Sequence, residues 1–238
     1  YTAMYGNQGG FLNTGIGFYA LGSNESGNYN IGIGLNALVT NVETSFNTAV
    51  GCNAGNFGAS SYSSYFGYNA YPFASGYWNT TAIGNDARPT ASDQVRIGNA
   101  SVTSIGGYAE WTNLSDARFK KNVAENVKGL DFILRLRPVT YNMDIVALSE
   151  YLREDWSAGK DGIYRKMDTP REVLLARQAK SSLVYTGFIA QEVESAAKAA
   201  SYNFSGIDTP KNPDDFYGLR YSEFVVPLVK AVQEQQQL

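Results

Sequence analysis

The chain has 238 residues, with 19 Lys and Arg against 22 Asp and Glu, a net charge of −3 and a pI near 5.1, a balance that argues against a broad nucleic-acid surface. A single cysteine excludes an intramolecular disulfide framework, and the absence of histidine removes the commonest general base and the usual zinc ligand, so no metal or other cofactor is expected. No apolar run is long enough to span a bilayer, so no membrane insertion is expected, and no signal peptide is visible; the sequence starts within a pattern, YTAMYGNQGG, and is expected to be part of something longer.

Residues 1–114 contain no lysine and only two arginines, Arg88 and Arg96, yet hold 18 of the 24 glycines. NTGIGFYAL at 13–21, YNIGIGLNAL at 29–38, FNTAVGCNAG at 46–55, SYFGYNAY at 64–71 and NTTAIGNDA at 79–87 are variants of one unit, echoed by QVRIGNA at 94–100. The anchoring glycines Gly17, Gly34, Gly51, Gly67, Gly84 and Gly98 are 17, 17, 16, 17 and 14 residues apart, a period that defines a repeat architecture. An apolar residue precedes each glycine (Ile16, Ile33, Val50, Phe66, Ile83, Ile97), and an alanine follows four positions after it in the first five units (Ala20, Ala37, Ala54, Ala70, Ala87). Positions i and i+4 of a strand share a face, so each unit is expected to point one bulky and one small side chain inward.

Asn, Gly and Ser between the units supply turns. A unit this short cannot bury a face alone and must stack on its neighbours, while the glycine density excludes a helix. The expected fold of this half is all-β, a solenoid or β-roll. The pattern resembles the head repeats of trimeric bacterial adhesins and similar repeats of phage tail fibres over roughly residues 1–107, which implies three chains winding side by side. The alternative is a single-chain solenoid spacer. The ten tyrosines of residues 1–114 are expected to fill the core or a seam between chains rather than to stack on glycans. Cys52 stands where other units have Phe18, Leu35 and Tyr68, and is expected to be packed and inert.

Composition changes at 112–115: the following residues hold the other 17 basic and 17 acidic side chains, which marks a domain boundary and divides the chain into 1–114 and 115–238. VKGLDFILRLRPVTYNM, 127–143, predicts a helix stopped by Pro138 and then a strand, with Leu130, Ile133, Leu134 and Leu136 on the apolar side of the helix. Residues 145–182 are charged and mostly helical in pattern, broken by Gly159 and Gly162, with Pro170 starting a further helix. The charged run 150–180 is expected to be a solvated face. YTGFIAQEVESAAKAA, 185–200, reads as a strand leading into a helix, and NFSGIDTPKNPDDFYG, 203–218, as a turn-rich loop. The last segment, YSEFVVPLVKAVQEQQQL, is an amphipathic helix in which Val225, Leu228, Val232 and Gln235 form a short coiled-coil seam, with Pro227 near its start.

Four blocks in this half, SDARFKKNV, GLDFILRLRPVTYN, GFIAQEVE and LRYSEFVVPLVKAVQE, together resemble the intramolecular chaperone domain of phage tail spikes and fibres, a family classed as a self-cleaving peptidase. The resemblance covers 115–238 and implies an α+β chaperone domain ending in a coiled-coil helix. The departure is residues 145–185, a longer connection than is usual. This insertion is expected to decorate a trimer surface apart from the chemistry, and the long version looks most like copies in Bacteroidetes-type bacteria, which weakens a phage assignment.

In the family a serine opens the first block and a lysine lies five residues on; here these are Ser115 and Lys120. The resemblance implies one cleavage of the chain by itself at Leu114–Ser115, with Ser115 as nucleophile and Lys120 as base. A serine hydroxyl attacks only when a base takes its proton, and a lysine serves only once burial or a neighbouring positive charge has made it give up its own. Arg118 and Lys121 are candidates for that charge. Asp116 is expected to cap a turn rather than orient Lys120. Gln191 and Glu192 lie in a family block and are assigned no chemistry.

The expected function is that of a homotrimeric tail-fibre-like or surface-fibre protein, on a virion or a bacterial cell surface, with a host-surface glycan or receptor as its target and a self-removing assembly domain. The alternative is a bacterial trimeric adhesin that keeps this domain as an uncleaved cap. A tailspike glycan hydrolase would need paired carboxylates, and the first half offers only Glu25, Glu43, Asp86, Asp93 and Glu110, scattered across repeats.

Overall fold

A computed structural model describes residues 2–58, 60–158 and 164–237; Gly159 and Gly162, expected to break the helical pattern, lie outside the described residues. Strands β1 (Thr14–Ile16), β2 (Ile31–Ile33), β3 (Thr48–Val50), β4 (Ser64–Phe66), β5 (Thr81–Ile83) and β6 (Val95–Ile97) come first. Then follow α1 (Leu130–Ile133), β7 (Val139–Asn142), α2 (Ile145–Tyr151), β8 (Trp156–Ala158), β9 (Tyr164–Lys166), α3 (Arg171–Ser181), β10 (Val184–Gly187), α4 (Ala190–Ala199), β11 (Ile207–Asp208), β12 (Gly218–Leu219) and α5 (Val225–Gln235). Two compact units form, each from separate stretches of chain: residues 1–103, 142–183 and 211–215 in one, and 104–141, 184–210 and 216–238 in the other.

In the first unit β1 to β6 make one parallel sheet in chain order, with Gly15, Gly32, Ala49, Tyr65, Ala82 and Arg96 in register. Each repeat is one coil of a β-solenoid. The alanines are inside as expected: Ala20, Ala37, Ala54, Ala70 and Ala87 are fully buried, beside Leu21, Leu38 and Tyr65.

Ile16, Val50, Phe66, Ile83 and Ile97 before the glycines face out instead, and Ile33 is half-buried, which corrects the sequence expectation. Ile16 is 58% exposed and Phe66 and Ile83 are each 41% exposed, while the mid-strand residues Ala49, Tyr65 and Ala82 are buried. The cause is the glycine corner. Gly17, Gly34, Gly51 and Gly67 have φ between +128° and +138°, so the strand ends there and the same-face rule does not carry across to the alanine. These corners also stack without space. A Cβ on Gly51 would lie 2.5 Å from the Gly67 carbonyl oxygen and 2.7 Å from its carbon.

Asparagines complete the stack from inside. Asn24, Asn30, Asn41 and Asn47 are fully buried. Asn24 Nδ2 donates to Asn7 Oδ1 at 2.8 Å, and Asn41 Nδ2 to Asn24 Oδ1 at 2.7 Å, one coil to the next. In a parallel ladder the backbone N–H of Asn47 donates to Asn30 Oδ1 at 3.0 Å and that of Ser63 to Asn47 Oδ1 at 3.1 Å. These residues fill the interior of the turns, a role beyond shaping them.

Residues 142–158 and 164–183 pack on the solenoid within the same unit. Asn53 Nδ2 donates to Ser157 Oγ at 2.8 Å and Asn69 Nδ2 to the Trp156 carbonyl at 3.0 Å. The segment is two helices around the antiparallel β8–β9 pair, where the pattern predicted mostly helix; Pro170 does cap α3. The charged run is not wholly solvated either. Glu154 and Arg177 are buried, with Arg177 Nη2 3.3 Å from Glu154 Oε2 and Arg177 Nη1 2.7 Å from Asp155 Oδ2. Glu154 is anchored further by the Ala100 N–H at 2.6 Å. Packing against the solenoid overrides the polar pattern because each buried charge has a partner. On the solenoid Arg88 is buried too, 3.1 Å from Asp86 Oδ1 and bonded to the Asn69 carbonyl.

In the second unit Phe132, Val193, Phe204 and Phe224 centre the core. Helix α1 is four residues long and ends well before Pro138, so Phe132 anchors it while Leu134 is exposed, contrary to the apolar face predicted. β7 pairs with β10, and β11 pairs antiparallel with β12 inside the turn-rich loop. The inner face of α5, through Pro227 and Ala231, is buried, and Glu234 Oε2 accepts the Leu130 N–H at 2.7 Å, satisfying a free donor at the start of α1. Val225, Leu228 and Val232 of the predicted seam are exposed on the single chain. No helix among the described residues is long and apolar enough to cross a membrane.

Two outcomes follow. Gly51→Ala is expected to cost about 2–4 kcal/mol of unfolding free energy, from a strained φ and a backbone clash, whereas Gly9→Ala, with open space around it, stays within about 1 kcal/mol; chemical denaturation measures both. The second concerns pH. Burial raises the Asp86 carboxyl from 3.8 to about 6, outweighing Arg88, and burial also pushes Glu154 up. An acid with a raised folded pKa stabilises fully below its unfolded value and loses that contribution as pH rises through about 6. The melting midpoint of the chain is therefore expected to rise between pH 7.5 and pH 5, and Asp86→Asn to flatten that rise, as calorimetry would record.

Candidate functional site

The stretch around Ser115 is built on one tight turn. Asp116 opens a 3-10 turn over Ala117–Phe119, accepting the Arg118 N–H at 2.9 Å. Its carboxylate also holds the Arg118 side chain, from Nη2 at 2.7 Å and Nε at 3.1 Å, and this pairing keeps the Asp116 carboxyl below its usual range. The Lys120 N–H closes the turn on the Ala117 carbonyl at 3.1 Å. A chain reversed this tightly returns residue 120 to residue 115: Lys120 Nζ donates to Ser115 Oγ at 2.8 Å.

The five-residue spacing is thus converted into a direct contact of the two groups that the sequence singled out. Asp116 spends its oxygens on the turn and on Arg118. Arg118 is correspondingly tied to Asp116 rather than to Lys120.

The site is open to water in one chain. Ser115 and Lys120 are exposed, and Leu114, on the other side of the bond, is 81% exposed. Trp111, Phe119 and Val123 around it are exposed as well. Several uncovered apolar side chains within so short a stretch are unusual for a finished surface. Sequence reading passed over Trp111, Phe119 and Val123 because they lack periodicity; the signal was an apolar residue immediately before each of Ser115 and Lys120.

Of the other residues weighed, Glu192 pairs with Arg137, Nε to Oε2 at 3.0 Å, and the Gln191 carbonyl accepts the Ser195 hydroxyl at 2.9 Å within α4. Both are engaged in local structure. Cys52 is half-buried, and burial pushes its thiol up. Among the described residues no cluster of three His, Cys, Asp or Glu is arranged to hold a metal ion.

Residues 115–202 match the family model of Peptidase S74, described as chaperone of endosialidase. The match begins at Ser115 and leaves the solenoid outside it. No curated protein and no solved structure matches the chain. The chain therefore joins a β-solenoid to a chaperone-type segment.

Proposed function

We propose that the protein is a homotrimeric fibre, on a virion or a bacterial surface, whose residues 115–238 direct assembly and then cut the chain once at Leu114–Ser115. The observation that carries this reading is the 2.8 Å contact of Lys120 Nζ with Ser115 Oγ at the first residue of the family match.

The chemistry balances as an acyl shift followed by hydrolysis. Ser115 Oγ bonds to the Leu114 carbonyl carbon as its proton passes to Lys120 Nζ. The Leu114–Ser115 C–N bond then breaks as that proton moves to the Ser115 nitrogen, leaving Leu114 as an ester on Ser115. Water splits the ester into a Leu114 carboxylate and a free Ser115 hydroxyl. Lys120 accepts the first proton only as a neutral amine, a form that desolvation favours.

Assembly supplies that desolvation in this account. Neighbouring chains packing over Trp111, Leu114 and Phe119 would exclude water from the pair. Two other uncovered apolar surfaces support the same assembly: the outward stripe of Val50, Phe66, Ile83 and Ile97 on the solenoid, and the Val225, Leu228 and Val232 face of α5. Cutting only after the chains have joined makes assembly hard to reverse, since the segment that aligned them is gone. The fibre's target is a surface glycan or receptor.

The test is the denatured intact mass of wild type, Ser115→Ala and Lys120→Gln. The expected result is a wild type split between Leu114 and Ser115, with both variants whole. A whole wild type would make residues 115–238 a permanent cap and remove the peptidase from the account. A split that persists in Ser115→Ala would exclude this nucleophile.

A further inference from the structure

The first unit contains a cleft of about 560 Å³ that self-cleavage does not use. Tyr68, Asn85, Asp86 and Ser101 of the solenoid form one wall; Asp155, Arg177 and the first turn of α3 form the other. The volume falls in the range of small-ligand pockets.

The bonding of these walls is incomplete. Arg177 is 3% exposed, and its Nε has no hydrogen-bond partner; the Ser101 hydroxyl is buried and also lacks one. Buried polar atoms are nearly always paired, so two unpaired ones on lining residues leave these walls under-bonded; both atoms are enclosed, and ligand contacts fall to the accessible polar groups of the lining.

The charge of the lining decides what kind. Asp86, Glu154, Asp155, Asp168 and Glu172 face one arginine, Arg177. An anionic ligand meets repulsion there. Hydroxyl groups suit such walls, because each donates to a carboxylate and accepts from an arginine or asparagine nitrogen. The half-exposed Tyr68 ring with Met167 and Val173 gives an apolar surface for the C–H face of a sugar ring. We infer that this cleft binds a neutral saccharide.

Binding, rather than hydrolysis, fits the carboxylates. Glu154 and Asp155 are held by Arg177, and Asp86 by Arg88 and by Asn85 Nδ2 at 3.0 Å. Glu154 and Asp155, each paired with Arg177, do not stand ready as the nucleophile of a glycosidase pair. The inference rests on the reading that the fibre contacts a surface glycan, and it gives that contact a place.

A glycan array probed with the full chain tests both, using Tyr68→Ala and Asp168→Asn beside wild type and thermal unfolding to show that each variant is folded. Asp168 is exposed, so its variant does not depend on the core. The expected result is binding to glycans ending in neutral sugars, weakened at least tenfold in both variants. Glycan binding that is unchanged in both variants would overturn the cleft and leave the glycan reading standing. Binding confined to sialylated, sulfated or amino-sugar glycans would overturn the ligand class. No binding to any glycan would overturn the cleft and the glycan reading together.

Discussion

The corner glycines of the solenoid have no room for a side chain. Gly17, Gly34, Gly51 and Gly67, with φ near +130° and the next corner's carbonyl where a Cβ would sit, fix the distance between coils. Everything else in the repeat follows from that spacing. Mid-strand positions turn inward, alanines fill the narrow interior, and asparagine amides reach from one coil to the next at ordinary hydrogen-bond length. A buried amide is stabilising only when its bonds are made, and stacking makes them between the coils that carry Asn7, Asn24 and Asn41 and between those that carry Asn30, Asn47 and Ser63.

The same geometry puts the large apolar residues outside. A chain that buries alanine and shows isoleucine and phenylalanine has inverted the usual assignment, and the stripe of Val50, Phe66, Ile83 and Ile97 is the result. The exposed face of α5 and the uncovered side chains around Ser115 repeat the pattern in the second unit. In the proposed assembly one event covers all three. Ser115 and Lys120 are already in contact within one chain, so in that proposal what assembly contributes is the removal of water.

The repeat period, the solenoid and the strand leading into α4 were legible in the sequence because each rests on local spacing, whereas the pairing of Ser115 with Lys120 was implied by the resemblance to a family. The facing of Ile16 or Phe66 was not, because a three-residue strand ending in a left-handed glycine does not obey the alternation of a longer one. The buried asparagines were read as turn residues, since composition alone does not separate an amide shaping a turn from one bonded to the next coil. Glu154 and Arg177 looked solvated because their partners, Ala100 among them, are far away in the chain. Helix α1 was overestimated for a similar reason: Phe132 packs against Phe204 and Phe224, contacts that no periodicity within 130–136 encodes.

The most direct measurement is the solution mass of the Ser115→Ala chain, in which cleavage cannot remove the assembly segment. Light scattering under native conditions should give three times the 25.9 kDa of one chain. A stable 25.9 kDa monomer would contradict the account, because the outward stripe, the α5 face and the open Ser115 site would then all remain facing water.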